Sequence, residues 1–156
     1  MMRAARFLGV GKVETGEAPL PKVREGTALI EVKACGVCGT DVHIFKGEFP
    51  AEFPVIPGHE LCGIVREVGP GVDIVKPGDM AVVDPNIVCH RCEQCREGRR
   101  HLCVNLKNYG IEVDGGFAEF ILVRDLEIIP VADMGAGTYE HFALSEPVGC
   151  CLHGVG

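Results

Sequence analysis

Apolar residues along this chain fall in short runs, and polar residues interrupt them at alternate positions rather than at helical spacing. Residues 28–34 (ALIEVKA) join strand formers to polar residues at every second position near the end. Residues 61–68 (LCGIVREV) read the same way and stop at Gly69, Pro70 and Gly71, a strong turn signal. Shorter runs follow at 80–83, 117–123 and 127–131. Strands at this spacing, joined by Gly- and Pro-containing turns, predict a small antiparallel barrel or sandwich. Helical spacing is weak before Gly137. It emerges over residues 139–152, where Pro147 and Gly149 interrupt it.

Residues 85–115 break the pattern. They hold four cysteines, several charges and few β-branched runs, which predicts a lobe inserted between two strands and held by metal rather than by a core. A length of 156 residues suits one domain with a real core, and 47% hydrophobic residues exclude a disordered chain. The formal net charge of −7 argues against a nucleic-acid partner, and Arg96, Arg99 and Arg100 read as a small solvated patch. No stretch approaches the roughly 18 apolar residues that span a bilayer. The N-terminus has no sustained apolar run resembling a signal peptide. The nine cysteines therefore read as metal thiolates or core residues in a reducing cytoplasm, not as disulfides.

Two groups of residues carry candidate chemistry. Cys89, Cys92, Cys95 and Cys103 form C-x2-C-x2-C-x7-C. Four thiolates close a tetrahedral zinc site, which makes it structural. Disulfides and an iron–sulfur cluster are the rivals, although ferredoxin-type runs continue as C-x3-C-P. His90 and His101 lie beside these ligands, but four positions are already filled. The second group is Cys38 with His59 and Glu60, whose thiolate, imidazole and carboxylate suit a zinc ion that must stay partly open. Taken singly, each reads more readily as packed filler or as a hydrogen-bonded side chain. Cys35 and Cys62 read as core, Cys150 and Cys151 as part of an apolar run, and His141 and His153 have no motif around them.

The order of motifs resembles the zinc-dependent alcohol dehydrogenase branch of the medium-chain dehydrogenase/reductase superfamily. The resemblance rests on CGVCGTDVH (35–43), PGHE (57–60), GIV from Gly63, Val68-Gly69, KPGD (76–79), the four-cysteine lobe, GGFAE (115–119) and Glu146-Pro147. It implies a mainly β fold, a GroES-like partly open β-barrel with a small zinc lobe and a C-terminal helical segment. It implies that Cys38 and His59 ligate a catalytic zinc. Glu60 matches a carboxylate that ligates in some members and swings in others. Glu146 matches a position that is cysteine in many alcohol dehydrogenases and glutamate in the sorbitol and threonine branches. Thr40 and His43 match a proton relay, and Asp41 a carboxylate that orients the ligand histidine.

The same resemblance implies two Zn²⁺ per chain, one catalytic and one structural, and a small alcohol or polyol as substrate. It implies no nucleic-acid or membrane partner and is compatible with a homo-oligomer. It also implies NAD(P), bound by a nucleotide-binding domain. Neither Gly9-Val-Gly11 nor Gly154-Val-Gly156 completes the G-x-G-x-x-G signature of such a domain. Residues 1–156 are thus expected to be one truncated catalytic domain, inactive without the missing cofactor domain. The alternatives are a stand-alone zinc-binding module and half of a split enzyme completed by a partner chain.

Overall fold

The structure, a computed structural model, describes residues 1–155. It is mostly sheet. Strands β1 (Met2–Gly9) and β2 (Lys12–Ala18) form an antiparallel hairpin. Then come β3 (Thr27–Gly36), α1 (Gly39–Lys46), β4 (Glu60–Val68), β5 (Met80–Val83) and β6 (Asn86–Ile87). The one-turn helix α2 (Glu93–Arg96) lies in the lobe, followed by β7 (Lys107–Asn108), β8 (Phe120–Arg124) and β9 (Ile128–Val131). Helices α3 (Tyr139–Ala143) and α4 (Ser145–Val155) end the described chain. The main sheet is antiparallel, in the order β8-β3-β4-β5-β9. The sheets do not close, so the open form of the expected barrel is the one found.

Side-chain alternation decides the layers. Ala28, Ile30, Leu61, Val65, Ala81, Val83, Ile121 and Val123 point to one face and make the largest core. Cys62, Met80 and Val82 point to the other, where Phe142 and Ala143 from the α3 region cover them. β5 is buried on both faces, which explains its unbroken apolar run. The Cys62 thiol donates to the Tyr139 carbonyl at 3.1 Å and ties α3 to β4.

Three features differ from the sequence reading. The β1–β2 hairpin was not predicted, because β2 buries only Ala18 and shows no apolar alternation. Helix α1 was not predicted either. It has eight residues and buries only Asp41 and Ile44, too few to display a 3.6-residue period. The single helical stretch at 139–152 is two helices parted at Leu144. Pro147 does not break the second, since it sits in the first turn where its missing N–H costs no helical bond. The neck of the lobe falls at the β6–β7 pair. Beyond it, Tyr109 and Ile111 are packed into the cores of the body. Among the described residues, no helix is long and apolar enough to cross a membrane.

Candidate metal centres

In the lobe, the four sulfurs of Cys89, Cys92, Cys95 and Cys103 lie within 4.8 Å of one another. The Cys92 and Cys103 sulfurs are 4.0 Å apart. Tetrahedral zinc with bonds of about 2.3 Å spaces sulfurs by about 3.8 Å, so a single ion fits between them. All nine cysteines are free, which removes the disulfide rival. Backbone geometry favours thiolates here. N–H groups of Arg91 and Cys92 pull the Cys89 thiol down to about 5. N–H groups of Cys95 and Val104 lower that of Cys92. The Cys95 thiol is pushed up to about 12 by burial and by the neighbouring thiols, the crowding that a cation would relieve. Neither nearby histidine turns to the sulfurs in place of a cysteine. His90, in the left-handed region at φ 55°, has Nε2 at 3.9 Å from Glu127, and the ring of His101 lies 5.0 Å from that of His153.

The second centre is made by strand register. β3 and β4 pair with Gly36 opposite Glu60, so the chain leaving β3 and the chain entering β4 meet at one end of the sheet. Donor atoms of Cys38, His59 and Glu60 thereby fall within 4.8 Å of one another. Cys38 caps α1, and its backbone N–H donates to Asp41 Oδ2 at 2.9 Å. Gly58, held at φ 93° with the Phe117 ring against its Cα, turns the chain so that His59 faces inward.

Asp41 joins the two halves. It is 2% exposed, and its Oδ1 lies 3.4 Å from the Gly58 nitrogen and 3.7 Å from His59 Nδ1. Burial raises its carboxyl above the ordinary aspartate value, against the lowering effect of the Cys38 N–H and of His59. His59 Nδ1 is buried without a hydrogen-bond partner, short of Asp41 by less than an ångström. With Nδ1 turned toward Asp41, Nε2 is the nitrogen left for a cation, which is the arrangement a metal-ligating histidine needs. The residues present therefore fit a zinc ion.

The remaining predicted residues stand around this set. Thr40 Oγ1 and the Thr40 nitrogen are each 3.5 Å from Cys38 Sγ. His43 is exposed on α1, with Nδ1 2.7 Å from Glu48 Oε2. Glu48 was not singled out by sequence; the available signal was its place just past Gly47, where its N–H closes the helix onto the His43 carbonyl at 2.8 Å. Glu146, on α4, is not brought into the Cys38–His59–Glu60 set. Its carboxylate instead accepts from the Cys150 thiol at 3.1 Å, which pushes that thiol up to about 11. Burial pushes the Cys35 thiol up to about 12, so it stays a packed thiol as its sequence context suggested.

The alcohol dehydrogenase GroES-like domain family matches residues 24–133, most of the chain and both candidate centres. The chain belongs to the zinc-dependent alcohol dehydrogenase family. Among its relatives within that family, a D-altritol 5-dehydrogenase of Agrobacterium fabrum is 41% identical over 99% of this chain and 45% of its own length. A sorbitol dehydrogenase of Bacillus subtilis is 35% identical over 97% of the chain and 44% of its own length. An L-threonine 3-dehydrogenase of Pyrococcus horikoshii is 43% identical over 87% and 40%. In three dimensions, a Sinorhizobium meliloti protein solved with NADP superposes with a TM-score of 0.94 at 45% identity, covering 99% of this chain and 45% of that one. The 2R,3R-butanediol dehydrogenase of Bacillus subtilis gives 0.89 at 32% identity, covering 99% and 47%. The chain thus spans less than half the length of these dehydrogenase relatives.

Proposed function

We propose that this chain is the zinc-binding, substrate-side part of a dehydrogenase that moves hydride between a secondary alcohol or polyol and NAD(P). The observation that carries the reading is the β3–β4 register, which gathers Cys38, His59 and Glu60 from two separate motifs. Cys38 and His59, with Glu60 as a third donor, would hold a catalytic zinc, and the four-cysteine lobe a structural one, giving two per chain. Zinc at the first centre would polarise the alcohol oxygen and lower its pKa.

The protein residues supply the rest. Asp41 orients His59 and, through the Cys38 N–H, the start of α1. Thr40 and His43, one helical turn apart on α1, form the relay that carries the alcohol proton to solvent. Glu48 holds the outer imidazole by its Nδ1 and leaves Nε2 to accept the proton. Glu146, which the resemblance to the sorbitol and threonine dehydrogenase branches would make a further ligand, is engaged by Cys150 and lies outside the three-donor set. NAD(P) would be bound outside residues 1–156, and nine free thiols suit a reducing cytoplasm.

Elemental analysis tests this. Wild type is expected to hold two zinc ions and Cys38→Ala one. The 156-residue segment alone is expected to turn over no alcohol, and to gain activity when joined to a nucleotide-binding domain. A single zinc that survives Cys38→Ala would sink the catalytic assignment. Turnover by the segment alone would sink the division of labour.

A further inference from the structure

The cleft between the lobe and α4 is lined by metal-binding side chains outside both three- and four-donor sets. Glu146, Cys150 and His153 stand at i, i+4 and i+7 on α4, so they share one face of the helix. His101 of the lobe lines the same cleft, whose volume is about 440 Å³. The rings of His101 and His153 are 5.0 Å apart, centre to centre, and tilted by 58°. Two imidazoles on one tetrahedral zinc, with Zn–N bonds of about 2.0–2.1 Å, set their ring centres about 5 Å apart. Packed aromatic pairs reach the same separation, but burial drives that packing, and both of these residues are exposed. Cys150 lies one turn before His153, and its thiol is 3.1 Å from Glu146 Oε1. The donors of His101, Cys150 and His153 are not gathered within 4.8 Å as those of the two centres are, so one side chain must turn to complete a set. Cys150 is exposed and free to turn from Glu146 toward the imidazoles.

We propose that His101, Cys150 and His153 form a third metal site, which takes a divalent ion of the zinc class and clamps the lobe to α4. One thiolate and two imidazoles are ligands that such an ion prefers, and the open cleft leaves its fourth position to water. On binding, the Cys150 sulfur gives up its proton and bonds to the metal. Glu146 accepts that proton along the hydrogen bond already in place. Because the ligands come from the lobe and from α4, the ion cross-links two elements far apart in the sequence. All three ligands are exposed, so this ion exchanges readily, and dialysis removes it while the more buried centres keep theirs. The site is independent of how the Cys38 centre is read.

The test adds cobalt(II) to protein that has been loaded with zinc and dialysed free of loosely held metal. One further equivalent is expected to bind, with the near-ultraviolet absorption of a thiolate–cobalt bond. Cys150→Ser is expected to abolish that band. His101→Ala and His153→Ala are each expected to weaken cobalt binding by about tenfold or more, since even the loss of a supporting hydrogen bond costs a metal site that much. Cys151→Ser and Cys38→Ala are expected to leave the band intact. Absence of a further equivalent overturns the proposal, and so does a band that survives Cys150→Ser or is lost in Cys151→Ser. If His101→Ala also loosens the zinc of the lobe, His153→Ala decides alone, and unweakened binding there overturns the clamp. A band lost in Cys38→Ala would mean that cobalt had exchanged into the Cys38 centre, which overturns the third site and leaves the reading of that centre standing.

Discussion

Asp41 carries more of the candidate centre than either of the motifs it connects. Its two carboxylate oxygens face the N–H groups of Cys38 and Gly58, and one of them also faces His59. A buried carboxylate with that set of neighbours locks one strand end to the other. Asp41→Asn keeps the shape but presents an amide N–H₂ to one of the two backbone donors, which strands that donor. The stability loss is expected to be about 1–3 kcal/mol in urea unfolding. Loss of the charge behind His59 is expected to weaken zinc at the Cys38 centre by about 10- to 100-fold, read by competition with a chromophoric chelator. Zinc affinity equal to wild type would show that the 3.7 Å separation from His59 Nδ1 does not close when the metal binds.

Helices and strands show which parts of this fold were legible in the sequence. β3 and β4 were legible because their runs end at punctuating residues, and the four-cysteine spacing was legible because thiolate chemistry constrains it. The meeting of Cys38 with His59 was hidden from local patterns and came only from the family resemblance, since it depends on register, which no local pattern encodes. Equally hidden was the link between the lobe and the body. Glu127 is 2% exposed, and Arg124 grips it through Nε at 2.6 Å and through Nη2. Arg124 Nη2 also donates to the Val88 carbonyl at 3.0 Å, one residue before Cys89, while the Arg124 N–H donates to the buried Tyr109 hydroxyl at 3.0 Å. Residues from both sides of the neck thus close on one buried ion pair. Arg124→Met leaves Glu127 charged and uncompensated, at a cost of about 3–5 kcal/mol when a pair is fully buried. The side chain of Arg124 is 37% exposed, so the lower end of that range is expected. Adding Glu127→Leu should recover most of the loss, and a double variant no better than the single one would refute the pairing as its cause.

At the scale of the whole molecule, two kinds of stabilisation meet at the neck. The body is held by apolar packing on both faces of its main sheet. The lobe has almost none: from Cys89 to Asn108 the single buried residue is Cys103. A segment of that size without a core depends on its metal for order, whereas the sheet does not. Removing zinc with a strong chelator should therefore melt the lobe and leave the body folded. Arg91, Arg96, Arg99, Arg100 and Lys107 are all exposed, so they provide cleavage sites for trypsin along the lobe. Trypsin is expected to cut the chelated protein first between residues 91 and 107 while the sheet core resists, and to cut the zinc-loaded protein there far more slowly. Re-addition of zinc before the protease should restore resistance. Cleavage spread evenly along the chelated chain would mean that body and lobe unfold as one unit, with the Arg124–Glu127 pair transmitting the loss of metal across the neck.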